Sequence, residues 1–165
     1  HVFSIGFMTA TSVLVGEALG AEDLAGQKSV RITSHYVVLV ASVPVLFVLY
    51  LFRNEIAAAY SIDGDTKTLW LQICICILLL KLLDDIAQAG QGFLVGLERT
   101  RVVFLGRFIG LWVVAMPAGY FLSVYHSLSG YWIGWIMGTA LTLIWFAQAG
   151  SIYVKHQKPK LVGKE

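Results

Sequence analysis

The sequence predicts an all-α, polytopic transmembrane helix bundle with about five membrane-spanning helices, and three observations predict it. Hydrophobic residues make up 58% of the chain and charged residues 13%, with a mean hydropathy of +0.75. That lies well outside soluble composition, and most segments have no polar face to put toward water. Apolar runs near the ~20-residue spanning length recur along the chain, separated by short polar stretches. Lysine and arginine fall in alternate connections, as they do where positive charge is retained on the cytoplasmic side. A net charge of +2, with no basic stripe interleaved with aromatics, excludes a nucleic-acid partner from the expectations.

Residues 1–19 read as the end of a spanning helix whose small residues (Gly6, Thr9, Ala10, Thr11, Ser12, Gly16) allow close helix approach. The first residue is His1, inside an apolar run with no charged leader, so the expectation is a fragment lacking its N-terminal part. Residues 20–34 read as a polar connector, and 36–52 as a second span with a kink at Pro44, ended by Arg53 and Glu55. Residues 62–66 (IDGDT) supply a turn and a helix cap from Asp65 or Thr66. The third span is 69–96. Residues 98–101 (ERTR) form a charged turn, and 102–124 a fourth span with Arg107 near its start as an interfacial anchor. Residues 125–130 form a loop. The fifth span, 131–154, opens with Tyr131, Trp132 and Trp135 in the manner of an aromatic belt.

Lys28, Arg31, Arg99, Arg101, Lys155, Lys158, Lys160 and Lys164 fall on one side of this topology, and only Arg53 and Lys67 on the other. The C-terminus is therefore expected in the cytoplasm. Residues 1–154 form the membrane lobe; 155–165 are a basic cytoplasmic tail, disordered or resting on anionic lipid. Cys74 and Cys76, at i and i+2, point to different faces, so packing is expected rather than a disulfide or a metal site.

The third span carries Lys81, Asp84 and Asp85 near its middle. A lone charge at that depth costs at least ~2.5 kcal/mol, so such groups pair or face a wet cavity. Lys81 lies three residues before Asp84 and four before Asp85 and reaches either. Two carboxylates share one lysine, which leaves one aspartate to bind a cation or a proton; the competing reading is a charge cluster that stabilises packing. Adjacent helical residues diverge by about 100°, so the two aspartates cannot share a proton as a protease dyad does. No enzyme is expected. Gly90, Gly92 and Gly96 permit close packing, a kink or a gate.

Four stretches together resemble the C-terminal half of a MATE (multidrug and toxic compound extrusion) transporter of the NorM-like branch: ATSVLVGEALGAEDLAGQKS, DDIAQAGQGFLVGLERTR, RFIGLWVVAMPAGYFL and SGYWIGWIMG. Val95 and Leu14 stand where arginine is frequent in the family, and Lys81 where a neutral polar residue is. The resemblance implies two six-helix lobes around a central cavity, with export of organic, often cationic compounds driven by Na⁺ or H⁺, and no other cofactor. This chain would be the last five helices of the second lobe, its partners the missing N-terminal lobe, membrane lipid and a small organic substrate. Ungapped alignment puts the family's cation-coupling aspartate on Asp84; alignment through Gln88 selects Asp85 instead. Lys81 would modulate the site, and Pro117, with Gly90, Gly92 and Gly96, would serve helix packing or gating. The alternatives are a flippase of the wider superfamily, favoured by a basic cavity, and a non-transporting subunit, favoured by a bundle with no cavity.

Overall fold

A computed structural model describes the backbone of residues 2–162 and the side chains of residues 3–125 and 127–154. The described elements are all helical: α1 (Val2–Gly20), α2 (Leu24–Leu51), α3 (Arg53–Ala59), α4 (Gly64–Gly96), α5 (Thr100–Phe108), a π-helical segment (Ile109–Ala115) and α6 (Met116–Val162). The bundle is centred on α4, which packs against α1, α2, α5 and α6. Its core gathers Val15, Ala87, Phe93, Leu94, Leu97, Val103, Phe146 and Val154. Large apolar side chains such as Phe47, Phe104 and Trp112 point outward and are 60%, 65% and 60% exposed. An apolar exterior is what a lipid solvent calls for, and this is an integral membrane protein.

Four stretches are long and apolar enough to cross a membrane: Phe3–Gly20, Leu24–Leu51, Thr100–Tyr125 and Ser127–Val154. The sequence predicts about five, and α4, which carries Lys81, Asp84 and Asp85, is the one not among these four. Its 33 residues span about 50 Å at 1.5 Å each, so length is no obstacle.

The turns depart most from expectation. The connector predicted over 20–34 shrinks to a tight turn, because Asp23 caps α2 by accepting from Gly26 N–H at 2.9 Å and the polar residues behind it continue the helix. Gln27 is buried, and Arg31 donates to Ala147 O and Ser151 Oγ of α6 at 2.9 and 3.0 Å, so tertiary partners keep this polar stretch helical. Three turns close with one motif. Glu22, Ser61 and Glu98 take the left-handed conformation (φ 54°, 53° and 59°), and they and the residues after them donate back to the carbonyls of the preceding helix, Asp23 N–H to Ala18 O at 2.9 Å for example. Beyond Phe52 the chain forms α3 rather than ending at Arg53, and Asp63 rather than Asp65 or Thr66 occupies the cap position before α4, without a side-chain cap bond.

The predicted loop at 125–130 is a sharp reversal within α6 at Ser127 (φ 53°). The two arms run back along each other: a side chain at Gly130 would strike Leu122 O, one at Gly134 the Gly119 backbone, and one at Gly138 the carbonyl of Gly110. Glycine every fourth residue lets the arms touch backbone to backbone. Pro117 is the second residue after the π-helical segment, and Met116 N–H donates to Leu111 O, one residue further back than an α-helix allows. Proline offers no N–H and its ring crowds the carbonyl four residues back, so the wider turn relieves both. Pro44 lies inside α2, whose helix continues past it. The backbone of α6 runs to Val162; residues 163–165 and the side chains from Lys155 onward, with the expectation for the basic tail, lie outside the described residues.

Candidate functional site

The middle of α4 holds two ion pairs pointing to different sides of the helix. Asp85 is 5% exposed. Its Oδ1 accepts from Lys81 Nζ, one turn back on α4, and from Ser4 Oγ of α1; its Oδ2 accepts from Ser42 Oγ of α2 at 2.9 Å. Lys81 Nζ also donates to Ser4 Oγ at 2.9 Å. One carboxylate thus ties three helices, each contributing a group that an apolar span would otherwise leave unpaired.

Asp84 accepts from Arg107 Nη1 of α5 at 2.9 Å, and Arg107 Nε donates to Gln91 Oε1 at 3.0 Å. The guanidinium lies 5.8 Å from the Phe146 ring centroid, and its Nη2 is buried without a hydrogen-bond partner. This corrects two expectations. Arg107 turns inward instead of reaching toward the interface, and it supplies the second cation, so no aspartate is left over once Lys81 has paired. The four charges sum to zero, which lowers the cost of placing them in a span relative to unpaired charges.

Two cavities flank the cluster. One of about 430 Å³ is lined by Lys81, Asp84, Gln88, Arg107, Trp135 and Thr139 together with apolar residues. The indole N–H of Trp135 is buried there without a partner. The other, of about 260 Å³, lies among Phe3, Phe7, Ser42, Leu49, Lys81 and Asp85. Lys81 lines both. A third, of about 680 Å³, lies between α2 and α6 and carries Lys28, Arg31, His35 and Ser151.

Of the three roles open to the glycines of α4, close packing is the one the geometry displays. A Cβ at Gly92 would collide with the Met8 backbone, one at Gly96 would come within 2.7 Å of Val15 Cβ, and one at Gly90 would lie 3.2 Å from Phe146 Cβ. They and Pro117 lie apart from the charges. Cys74 is buried and Cys76 half-buried, both free thiols. Tyr131 packs its ring against Trp132 and Trp135, with centroids 5.9 and 6.1 Å away. Among the described residues no group of three His, Cys, Asp or Glu side chains is placed to hold a metal ion. Ser4, Ser42, Gln91 and Arg107 are the site residues that sequence reasoning missed. For Arg107 a signal existed, since two acids and one lysine in a span call for a second cation; for the serines there was none.

The family model MatE matches residues 1–121. Over 144 residues the chain is 30% identical to the multidrug resistance protein NorM of Photobacterium profundum, covering 84% of this chain and 32% of that protein. Over 163 residues it is 29% identical to the multidrug resistance protein MdtK of Proteus mirabilis, covering 91% of this chain and 35% of that protein. The chain spans about a third of the length of these relatives.

Proposed function

Because the chain belongs to the MatE family, we propose that it forms part of the second lobe of a cation-driven antiporter, which exports organic, often cationic compounds across the bacterial inner membrane. The remainder of the intact protein supplies the facing lobe, and the C-terminus lies in the cytoplasm. The observation that carries this reading is the pair of mid-helix carboxylates, each held by a cation and each bordering a cavity. Multidrug resistance proteins among the relatives supply the substrate class.

Asp85 carries the coupling. Its two oxygens join α1, α2 and α4, so neutralising it or giving it another cation loosens three helices at once. Asp84 joins only α4 and α5, and Arg107 holds it. Cation entry at Asp85 frees α1 and α2 to move against α4, a local change of contacts that biases a two-state lobe toward its other opening. The cavity beside Asp84, of about 430 Å³, has the size of a small-molecule site and receives part of the substrate. The test reconstitutes the intact protein in vesicles and imposes a proton or Na⁺ gradient. Gradient-driven movement of a fluorescent organic cation is expected; its absence under both gradients contradicts the reading.

One observation favours the flippase alternative: the cavity of about 680 Å³ is basic, with Lys28 and Arg31 on its wall. Translocation of a lipid-linked phosphate in the same vesicles, without movement of the organic cation, would select it. The cavities weigh against a non-transporting subunit.

A further inference from the structure

We infer that Lys81 is a tethered cation that occupies the coupling ion's place at Asp85 and so excludes Na⁺ from this protein. The inference deepens the coupling role proposed for Asp85 and rests on it. Three oxygen-bearing side chains converge from three helices, Ser4 of α1, Ser42 of α2 and Asp85 of α4. One carboxylate with two hydroxyls is the hard-oxygen chemistry that suits a small cation. The Lys81 ammonium sits among them, bonded both to Asp85 Oδ1 and to Ser4 Oγ. Na⁺ can take these two oxygens only if the ammonium leaves them.

The charges support the same conclusion. Asp84 is matched by Arg107 and Asp85 by Lys81, so the cluster is neutral as it stands and a further cation would leave it with an unmatched charge inside the membrane. The ammonium also has a place to go. Lys81 borders the cavity beside Asp84 as well as the one beside Asp85, and Asp84 is three residues ahead on the same helix. Among the described residues no charged side chain of α1 or α2 bonds Asp85: those helices offer it the two serine hydroxyls, and Arg107 of α5 is bound to Asp84. Lys81 is thus the residue that sets which cation Asp85 accepts. A proton needs no shell of oxygens and can be taken up as Lys81 swings across; Na⁺ must compete with a cation held at an effective concentration on the order of mM or above.

The test is Na⁺-specific stabilisation of the intact protein in detergent, read as the shift in Tm between NaCl and choline chloride of equal concentration. Wild type is expected to show no difference. Lys81→Met should gain a saturable rise in Tm with Na⁺ that wild type lacks over the same concentration range. Lys81→Arg, which keeps the cation and the fold, should show none, and neither should Lys81→Met combined with Asp85→Asn. A Na⁺-specific rise in wild type that Asp85→Asn removes would overturn the inference whether or not Lys81→Met folds. So would a folded Lys81→Met that shows no rise. The readout needs no transport: a Na⁺ gain in Lys81→Met, with no drug movement by wild type in vesicles, supports this inference and contradicts the export reading, whereas drug movement by wild type with no Na⁺ gain in Lys81→Met does the reverse.

Discussion

Replacing Arg107 with methionine tests whether the inward ion pair organises the bundle. The change keeps a long apolar stem and removes three interactions: the bond to Asp84 at 2.9 Å, the bond to Gln91 at 3.0 Å and the guanidinium 5.8 Å from the Phe146 ring. Removing one partner of a buried pair costs about 3–5 kcal/mol, chiefly because the other charge is stranded. Both side chains here are 20% exposed and border a cavity, which moderates the penalty, so about 2–3 kcal/mol is expected. Asp84→Leu alone strands Arg107 instead. The double substitution strands neither and should recover most of the loss, giving a coupling energy of about 2 kcal/mol in a double-mutant cycle. Thermal unfolding of the detergent-solubilised intact protein, followed by loss of the monodisperse peak, reads all four proteins. If Arg107→Met unfolds within about 0.5 kcal/mol of wild type, the ordinary scatter of surface substitutions, and the cycle shows no coupling, then Arg107 is an interfacial anchor and Asp84 is unpaired.

Gly92→Val should destabilise by about 1–3 kcal/mol or more, because its side chain meets the Met8 backbone and not a movable side-chain end; unfolding at the wild-type temperature would show that α1 and α4 are not in contact there. Gly6→Ala serves as its control, since a Cβ there meets nothing within 4 Å, and should change stability by less than about 0.5 kcal/mol. For orientation, Gly64→Cys in intact cells should react with an impermeant thiol reagent while Lys158→Cys does not; labelling of Lys158→Cys alone reverses the topology.

The class of fold was legible because composition and the length of apolar runs speak directly to the bilayer, and the centrality of residues 69–96 because charges in a span demand partners. The turns were less legible. A helix end is most readily seen where glycine supplies the left-handed residue, but Glu22, Ser61, Glu98 and Ser127 take that conformation here, at about 1–2 kcal/mol each. The polar stretch around Arg31 reads as a connector because the partners of Arg31 lie on another helix: it finds Ala147 and Ser151, 116 and 120 residues away. The site was half legible for the same reason. Lys81 and Asp85 are neighbours on one helix and can be paired by counting; Ser4 and Ser42 meet Asp85 across 81 and 43 residues, and Arg107 meets Asp84 across 23. The ungapped family alignment pointed to Asp84, and its support from a surplus of negative charge disappears once Arg107 is counted.

Drug export driven by an imposed ion gradient, measured for Asp85→Asn beside Asp84→Asn in vesicles holding equal amounts of folded intact protein, tests the coupling role of Asp85 most directly. Asparagine keeps the shape and the carbonyl oxygen that Ser4 or Ser42 can donate to, and removes the charge that binds Lys81 and the coupling cation. The account predicts that Asp85→Asn falls to the rate of empty vesicles while Asp84→Asn, whose partner Arg107 keeps Gln91 and Phe146, retains measurable export. Export by Asp85→Asn at the wild-type rate, with loss in Asp84→Asn, would contradict it.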